Sequence, residues 1–261
     1  MEVKKTSLHT PDPEKKYELS ALIDVDSFFY AIIESGGQVV EIDHIKLSKE
    51  VLLEKYPNLK TAKIAVANSS YTLIPAAEYN EQSKVDYIHQ VTEPSMQNQY
   101  VYLADFVEKT GLYVCYAISK SVYQYCFGLP VIPVIRHQIS TMLSQSNNGK
   151  LSSRIHVSRH QDYITITAHV DGQLRVANTF ESKSPITTLY YITLVQKNLG
   201  VKKSDIEVEF SGAFTPGDET EKLVSRYYTN LNYKPYSLKM DGQLLEKSSY
   251  YFPLQSVSLC V

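Results

Sequence analysis

At 261 residues the chain has room for one large domain or two of ordinary size, and 26 basic against 28 acidic residues give a formal net charge of −2 with no long charged run. That balance offers no basic stripe for a phosphate backbone, so general nucleic-acid binding is not expected. No apolar run approaches the ~20 residues that cross a bilayer. The first sixteen residues lack the apolar core of a signal peptide, and a cytoplasmic location with no membrane span is the expectation. Cys115, Cys126 and Cys260 have no CxxC spacing; core thiols are expected in place of a disulfide framework or a zinc site. The Asn68-Ser69-Ser70 sequon is then a chance match. The 21 tyrosines against no tryptophan suit strand packing, where a large ring is buried and its hydroxyl finds a partner.

Residues 1–16, with Pro11 and Pro13 among charges, are expected as a loose lead-in. Alternation predicts strands over Tyr17 to Asp24 and Ser27 to Glu34, a turn at Gly36-Gly37, and a third strand from Gln38 to Ile45. Ser48 is placed to cap a helix carrying Val51, Leu52 and Tyr56 and ending before Pro57. A buried strand over Ala62 to Ala67 follows. Between Asn68 and Ser119 lies an insertion with a strand from Tyr71 to Ile74, a polar segment to Gln99, and a hairpin of Tyr100 to Glu108 and Leu112 to Ile118 turned at Thr110-Gly111. A helix over Lys120 to Phe127, a strand over Val131 to Ile135 and a linking helix over His137 to Ser144 complete the first half. Ser146-Asn147-Asn148-Gly149 reads as the domain boundary.

The second half repeats this order. Strands are predicted over Ser152 to Ser158, Tyr163 to Val170 and Gln173 to Phe180, the last two joined by Asp171-Gly172 as a type I′ turn. Ser184 is placed to cap a helix, Pro185 suits its first turn, and Gly200 supplies a left-handed stop. A strand over Ile206 to Phe210, a helix near Glu219 to Leu231 and a strand about Lys234 to Leu238 follow. The tail beyond Asp241-Gly242 is expected to add an edge strand over Tyr250 to Leu259. The domains expected are residues 1–149, with an insertion at about 69–118, and residues 150–261.

Three antiparallel strands followed by alternating helices and strands, β-β-β-α-β-α-β, is the order of the ribonuclease H-like fold. Two such units in tandem resemble the actin-like ATPase group, including its bacterial pilus-assembly members. More narrowly, Asn68-Ser69-Ser70-Tyr71-Thr72-Leu73-Ile74-Pro75, Val176-Ala177-Asn178-Thr179-Phe180 and Leu189-Tyr190-Tyr191 resemble an uncharacterised bacterial family of unknown function assigned to that fold. The resemblance implies an α/β protein of actin-like ATPase architecture. It also implies that ATP with a divalent metal would be held by tight turns after the first strand of each half and by a glycine turn after the fourth strand of the second.

Those positions are the candidate cofactor-binding residues: Asp24, Asp26 and Ser27 in the first turn, Arg159, His160 and Asp162 in the second, and Ser211 and Gly212 in the third, expected to face a cleft between the halves. The first turn keeps acids but no glycine, and the second is bulky where backbone N–H groups would have to approach phosphates. A two-metal nuclease would need several converging carboxylates; Asp24, Glu50 or Glu54, and Asn68 fall short. His156 and His160 have metal-ligand spacing only on a helix, and a strand end is predicted there. Glu207 and Glu209 are expected at solvent or a helix terminus. The absence of a P-loop, a G-x-G-x-x-G fingerprint and a G-x-S-x-G elbow leaves no catalytic residue and no metal site to name. The expected function is a non-catalytic scaffold that binds a protein partner and carries no cofactor. The alternative is an atypical nucleotide or anion binder using the cleft.

Overall fold

The computed structural model describes residues 6–7, 11–24, 27–47, 53–56, 58–91, 99–145, 152–234, 239 and 248–259. The chain divides into two compact units, the first built from Met1–Ser144, Leu238–Asp241 and Leu254–Val261, the second from Gln145–Ser237 and Gly242–Pro253. The end of the chain therefore contributes to both units. The boundary tetrapeptide 146–149, Ser48 with the start of its predicted helix, and the second Asp-Gly string at 241 lie outside the described residues.

In the first unit β1 (Thr6–Ser7), β2 (Tyr17–Ile23), β3 (Ser27–Glu34), β4 (Val39–Lys46), β5 (Leu59–Val66) and β9 (Pro133–His137) form a sheet of order β1-β4-β3-β2-β5-β9. Part of the lead-in is thus structured, since Thr6 and Ser7 pair antiparallel with Ile42 and Glu41. The pairs β2–β3 and β3–β4 are antiparallel, whereas β2–β5 and β5–β9 are parallel. Leu19, Ala21 and Ile23 face one core with Phe28, Tyr30, Ile32 and Ile64, and Val122 and Cys126 of α2 (Lys120–Phe127) close it. The described part of the helix predicted after the third strand, Leu53 to Tyr56, is a turn.

The tyrosines of this core bring buried carboxylates with them. The Tyr30 and Tyr56 hydroxyls donate to Glu41 at 2.7 and 3.0 Å, and Lys55 forms an ion pair with the same group. Burial works to raise the Glu41 carboxyl, but the hydrogen bonds and charge of Lys55, with the two phenols, outweigh it and hold the group below its ordinary value.

The insertion forms its own sheet of β6 (Tyr71–Pro75), β8 (Leu112–Ser119) and β7 (Tyr100–Val107), in the order β6-β8-β7. The segment read only as polar also contains α1 (Lys84–His89), whose Ile88 packs with Cys115 and Ala117. Asp105 on β7 ties this sheet to the rest of the unit. It accepts the His137 backbone N–H at 2.7 Å, the Ser140 hydroxyl at 2.6 Å and the Tyr116 hydroxyl at 3.2 Å. Burial raises the Asp105 carboxyl despite those donors. α3 (Gln138–Ser144) was expected as a linker, yet Gln138 through Leu143 are all buried. The His137 ring caps it, Nδ1 accepting the Ile139 N–H at 3.2 Å. Cys115 and Cys126 are buried free thiols, as expected, and burial pushes them up to about 11 and about 12; Cys260 lies outside the described residues.

In the second unit β10 (Ser153–His160), β11 (Tyr163–Val170), β12 (Gln173–Glu181), β13 (Ile206–Gly212) and β14 (Leu231–Tyr233) take the order β12-β11-β10-β13-β14. Stripped of β1, the first sheet has this same order, so the duplication inferred from element order is present in the strand pairing. Asp171 and Gly172 have φ of 51° and 75°, as a type I′ turn requires. α4 (Pro185–Leu199) starts with the Ser184 hydroxyl accepting the Thr187 N–H and ends at Gly200 with φ of 68°.

The sheet has two different faces. Ile155, Val157, Ile166, Val208 and Phe210 pack with Ile192 and Val195 of α4 and Val224 of α5 (Glu219–Val224). The opposite face is polar and also buried. There Glu209 pairs with Lys234 at 3.1 Å and Arg154 at 3.8 Å, and Asn232 donates to Glu207. The solvent location expected for these glutamates is wrong, because Glu207 and Glu209 are only 6% and 8% exposed. Burying such charges requires the partners seen here.

Two further expectations fail. α5 stops at Val224, well short of Leu231, and Leu231 itself begins the edge strand assigned by sequence to Lys234 to Leu238; residues 235–238 are outside the described set. The tail forms a helical turn at Ser248–Tyr251 and then α6 (Phe252–Ser258) in place of a strand. Pro253 sits in the first turn of that helix, where its missing N–H costs nothing. α6 from Leu254 onward joins the first unit: the Ser20 hydroxyl donates to Leu254 O at 2.6 Å and Lys63 to Ser258 O at 2.6 Å.

Candidate functional site

In the first unit the β2–β3 turn begins at Asp24, 5% exposed, whose N–H donates to Ser27 O at 3.1 Å. Ser27 is equally buried, and Asp26 lies outside the described residues. The neighbouring strand end at Asn68 is occupied: its amide donates to Ala117 O at 2.9 Å and accepts the Ser70 N–H at 2.9 Å. Glu54, one of the acids a nuclease reading needed, is exposed, and Glu50 lies outside the described residues. Among the described residues no group of three or more His, Cys, Asp or Glu side chains comes together to hold a metal.

In the second unit the parallel pairing of β10 and β13 sets Arg159 beside Gly212, whereas Ser211 and His160 lie on the opposite face of the sheet and Asp162 is exposed just beyond β10. Strand alternation decides this. Arg159 follows Ile155 and Val157 on the helix face, whereas His156, Ser158 and His160 point to the polar face. The Arg159 guanidinium donates to Thr188 at 2.7 Å and Thr220 at 3.4 Å, and lies over the Phe214 ring at 4.2 Å from its centroid. It thus fills the space between the first turns of α4 and α5. Burial lowers the Arg159 pKa, with the Asp218 carboxylate acting against that shift. The N-terminal N–H groups of those helices are capped by Ser184 and Asp218 side chains.

Gly212 backs directly onto this residue. Its φ is +75°, and a Cβ there would stand 2.2 Å from the Arg159 carbonyl oxygen, which also accepts the Ala213 N–H at 2.9 Å. The glycine of the third turn is explained by this backbone contact. Ser211 is fully buried and its hydroxyl meets His156 Nε2 at 2.8 Å. His156 is on a strand and its ring packs edge-on to Phe252, so the spacing to His160 is not that of a helical metal pair. Burial, with the charges of Lys234, Arg154 and His169, holds His156 well below its ordinary pKa.

A family model described as "Protein of unknown function (DUF3822)" matches residues 8–231. The chain belongs to this family. The DUF3822 chain is similar in structure to a Bacteroides thetaiotaomicron protein with actin-like ATPase fold and unknown function, at a TM-score of 0.76 and 18% identity over 95% of this chain and 97% of that one. It is also similar to a chain of the PilM-PilN type IV pilus biogenesis complex, at a TM-score of 0.64 and 9% identity over 93% and 97% of the two chains. No curated protein matches the chain. At these identities the likeness is one of fold, and it confirms the actin-like, ribonuclease H-like architecture expected from element order.

Sequence reasoning missed Thr188 and Thr220 as the partners of Arg159, and the Asp105 cluster altogether. The only local signal for Thr188 was its place in the first turn of a capped helix.

Proposed function

We propose that this DUF3822 chain is a non-catalytic scaffold or partner-binding protein that keeps the duplicated actin-like architecture without using it on ATP. Arg159 carries this reading. The turn that the resemblance assigns to phosphates presents a guanidinium bonded inward to two threonines and stacked on Phe214. To meet a ligand it would have to give up those contacts, at a cost of about 3 kcal/mol. ATP with a divalent metal also does not suit the side chains present, because Gly212 is closed by the Arg159 carbonyl and Asp24 is the only acid described in the first turn. The PilM-PilN complex supports the partner half of the proposal, since a chain of similar fold is found there with a second protein.

The alternative, an atypical nucleotide or anion binder, has no observation of its own in favour. Copurification from the native host under gentle conditions separates the two. A stoichiometric protein that comigrates with the chain on gel filtration is the expected result; a tightly held nucleotide and no protein would sink the scaffold reading.

A further inference from the structure

The outer side of α4 carries a stripe that the fold leaves largely exposed, with Thr193 on it accepting the Tyr228 hydroxyl at 3.3 Å. Its inner side is accounted for by Thr188, Ile192, Val195 and Gln196, which are buried against the sheet or its neighbours. Ile186, Tyr190, Thr193 and Lys197 follow one another at four, three and four residues along the other side, a length of about 16 Å. With Leu189, Leu194, Lys203 and Tyr227 they line a groove of about 310 Å³ within the second unit. Ile186, Tyr190 and Tyr227 are 69%, 59% and 50% exposed, which is unusual for three large apolar side chains around one concavity.

Charge says what the groove would take. Among the described residues its charged liners are Lys197 and Lys203, and no acidic side chain lines it. Lys203 is held in place over the Tyr227 and Tyr228 rings, 5.0 and 5.6 Å from their centroids. Lys197 lies in the last turn of α4, so both cations stand toward one end of the stripe. A concave apolar floor with aromatic walls suits the apolar face of a helix. A membrane surface would instead call for a convex apolar face.

Resting on the partner-binding reading, we propose that this groove docks a helical segment of the partner protein, with apolar side chains at three- and four-residue spacing along the groove and acidic residues at the end that reaches Lys197 and Lys203. The test titrates the full chain into a fluorescein-labelled synthetic helix with leucines at i, i+4 and i+7 and glutamates at one end, beside a sister peptide with lysines in their place. The glutamate peptide should bind at least roughly tenfold more tightly than the lysine peptide. Tyr190→Ser, at an exposed site, should weaken it by a similar factor, and Lys197→Glu with Lys203→Glu should reverse the preference.

Failure of both peptides to bind, equal binding of the two, or binding indifferent to Tyr190→Ser would overturn the proposal. So would a shift of the chain onto anionic phosphatidylserine vesicles that Tyr190→Ser abolishes, or a concentration-dependent dimer dissolved by Ile186→Glu, since these assign the groove to a lipid surface or a second copy. A copurifying partner that stays on the Tyr190→Ser variant would remove the groove while leaving partner binding intact.

Discussion

Lowering the pH from about 6.5 to about 5 is expected to remove up to roughly 3 kcal/mol of folding stability through two buried histidines. Each unit buries a histidine whose charged form the interior disfavours. Burial pushes His137 down to about 3, and His156 is held well below its ordinary value. In the unfolded chain both titrate near 6.5. At these two rings the unfolded state therefore binds more protons than the folded state at pH 5, and stability present above the unfolded pKa is lost as the pH falls. Asp105 acts in the opposite sense, because its raised carboxyl favours the folded state at lower pH. Glu41, with a lowered pKa, adds to the loss only in more acidic solution. Urea midpoints measured at several pH values check this directly, and His156→Gln should remove about half the slope. Flat stability from pH 6.5 to pH 5 would show that these rings are not buried neutral.

The substitution with the largest expected effect is Gly212→Ala. An added methyl would collide with the Arg159 carbonyl at 2.2 Å, and the clash is with backbone, which cannot swing aside. The residue also has φ of +75°, which an alanine adopts with strain. Together these should cost about 3 kcal/mol or more and loosen the clasp between the ends of β10 and β13. Gly217→Ala is the matched control. It shares a φ of +79° but has nothing within 4 Å of the added methyl, so about 1 kcal/mol is expected. Thermal denaturation of the two variants separates packing from backbone strain. Equal losses would mean that the Arg159 contact does not restrict Gly212.

What could be read in the sequence was set by local chemistry. The Asp171-Gly172 turn, the Ser184 cap, Pro185 and Gly200 each declare their conformation within a few residues, and all four stand where expected. Strand alternation located most strands of both sheets for the same reason. The tail failed because a helix buried on nearly every side shows no 3.6-residue period, and Tyr250 to Leu259 is rich in residues that also favour strands. The end of α5 was misplaced because apolar Tyr227, Tyr228 and Leu231 continue a helical spacing past the point where the chain turns.

The candidate site was less legible still, since its meaning depends on distant partners. Arg159 is explained by threonines 29 and 61 positions away, and Asp105 by a backbone N–H 32 positions away. A bulky second turn could be seen in the sequence. That the bulk turns inward to join two helix starts could not.

The melting temperature of the full chain with and without millimolar ATP and magnesium tests most directly the proposal that this actin-like fold does not bind ATP. A site with a Kd near 10 μM would stabilise the protein by about 2.7 kcal/mol at ~1 mM nucleotide, a rise of several degrees. The result expected is no shift with ATP, ADP or metal. A dose-dependent rise that Arg159→Ala or Asp24→Ala abolishes would contradict it.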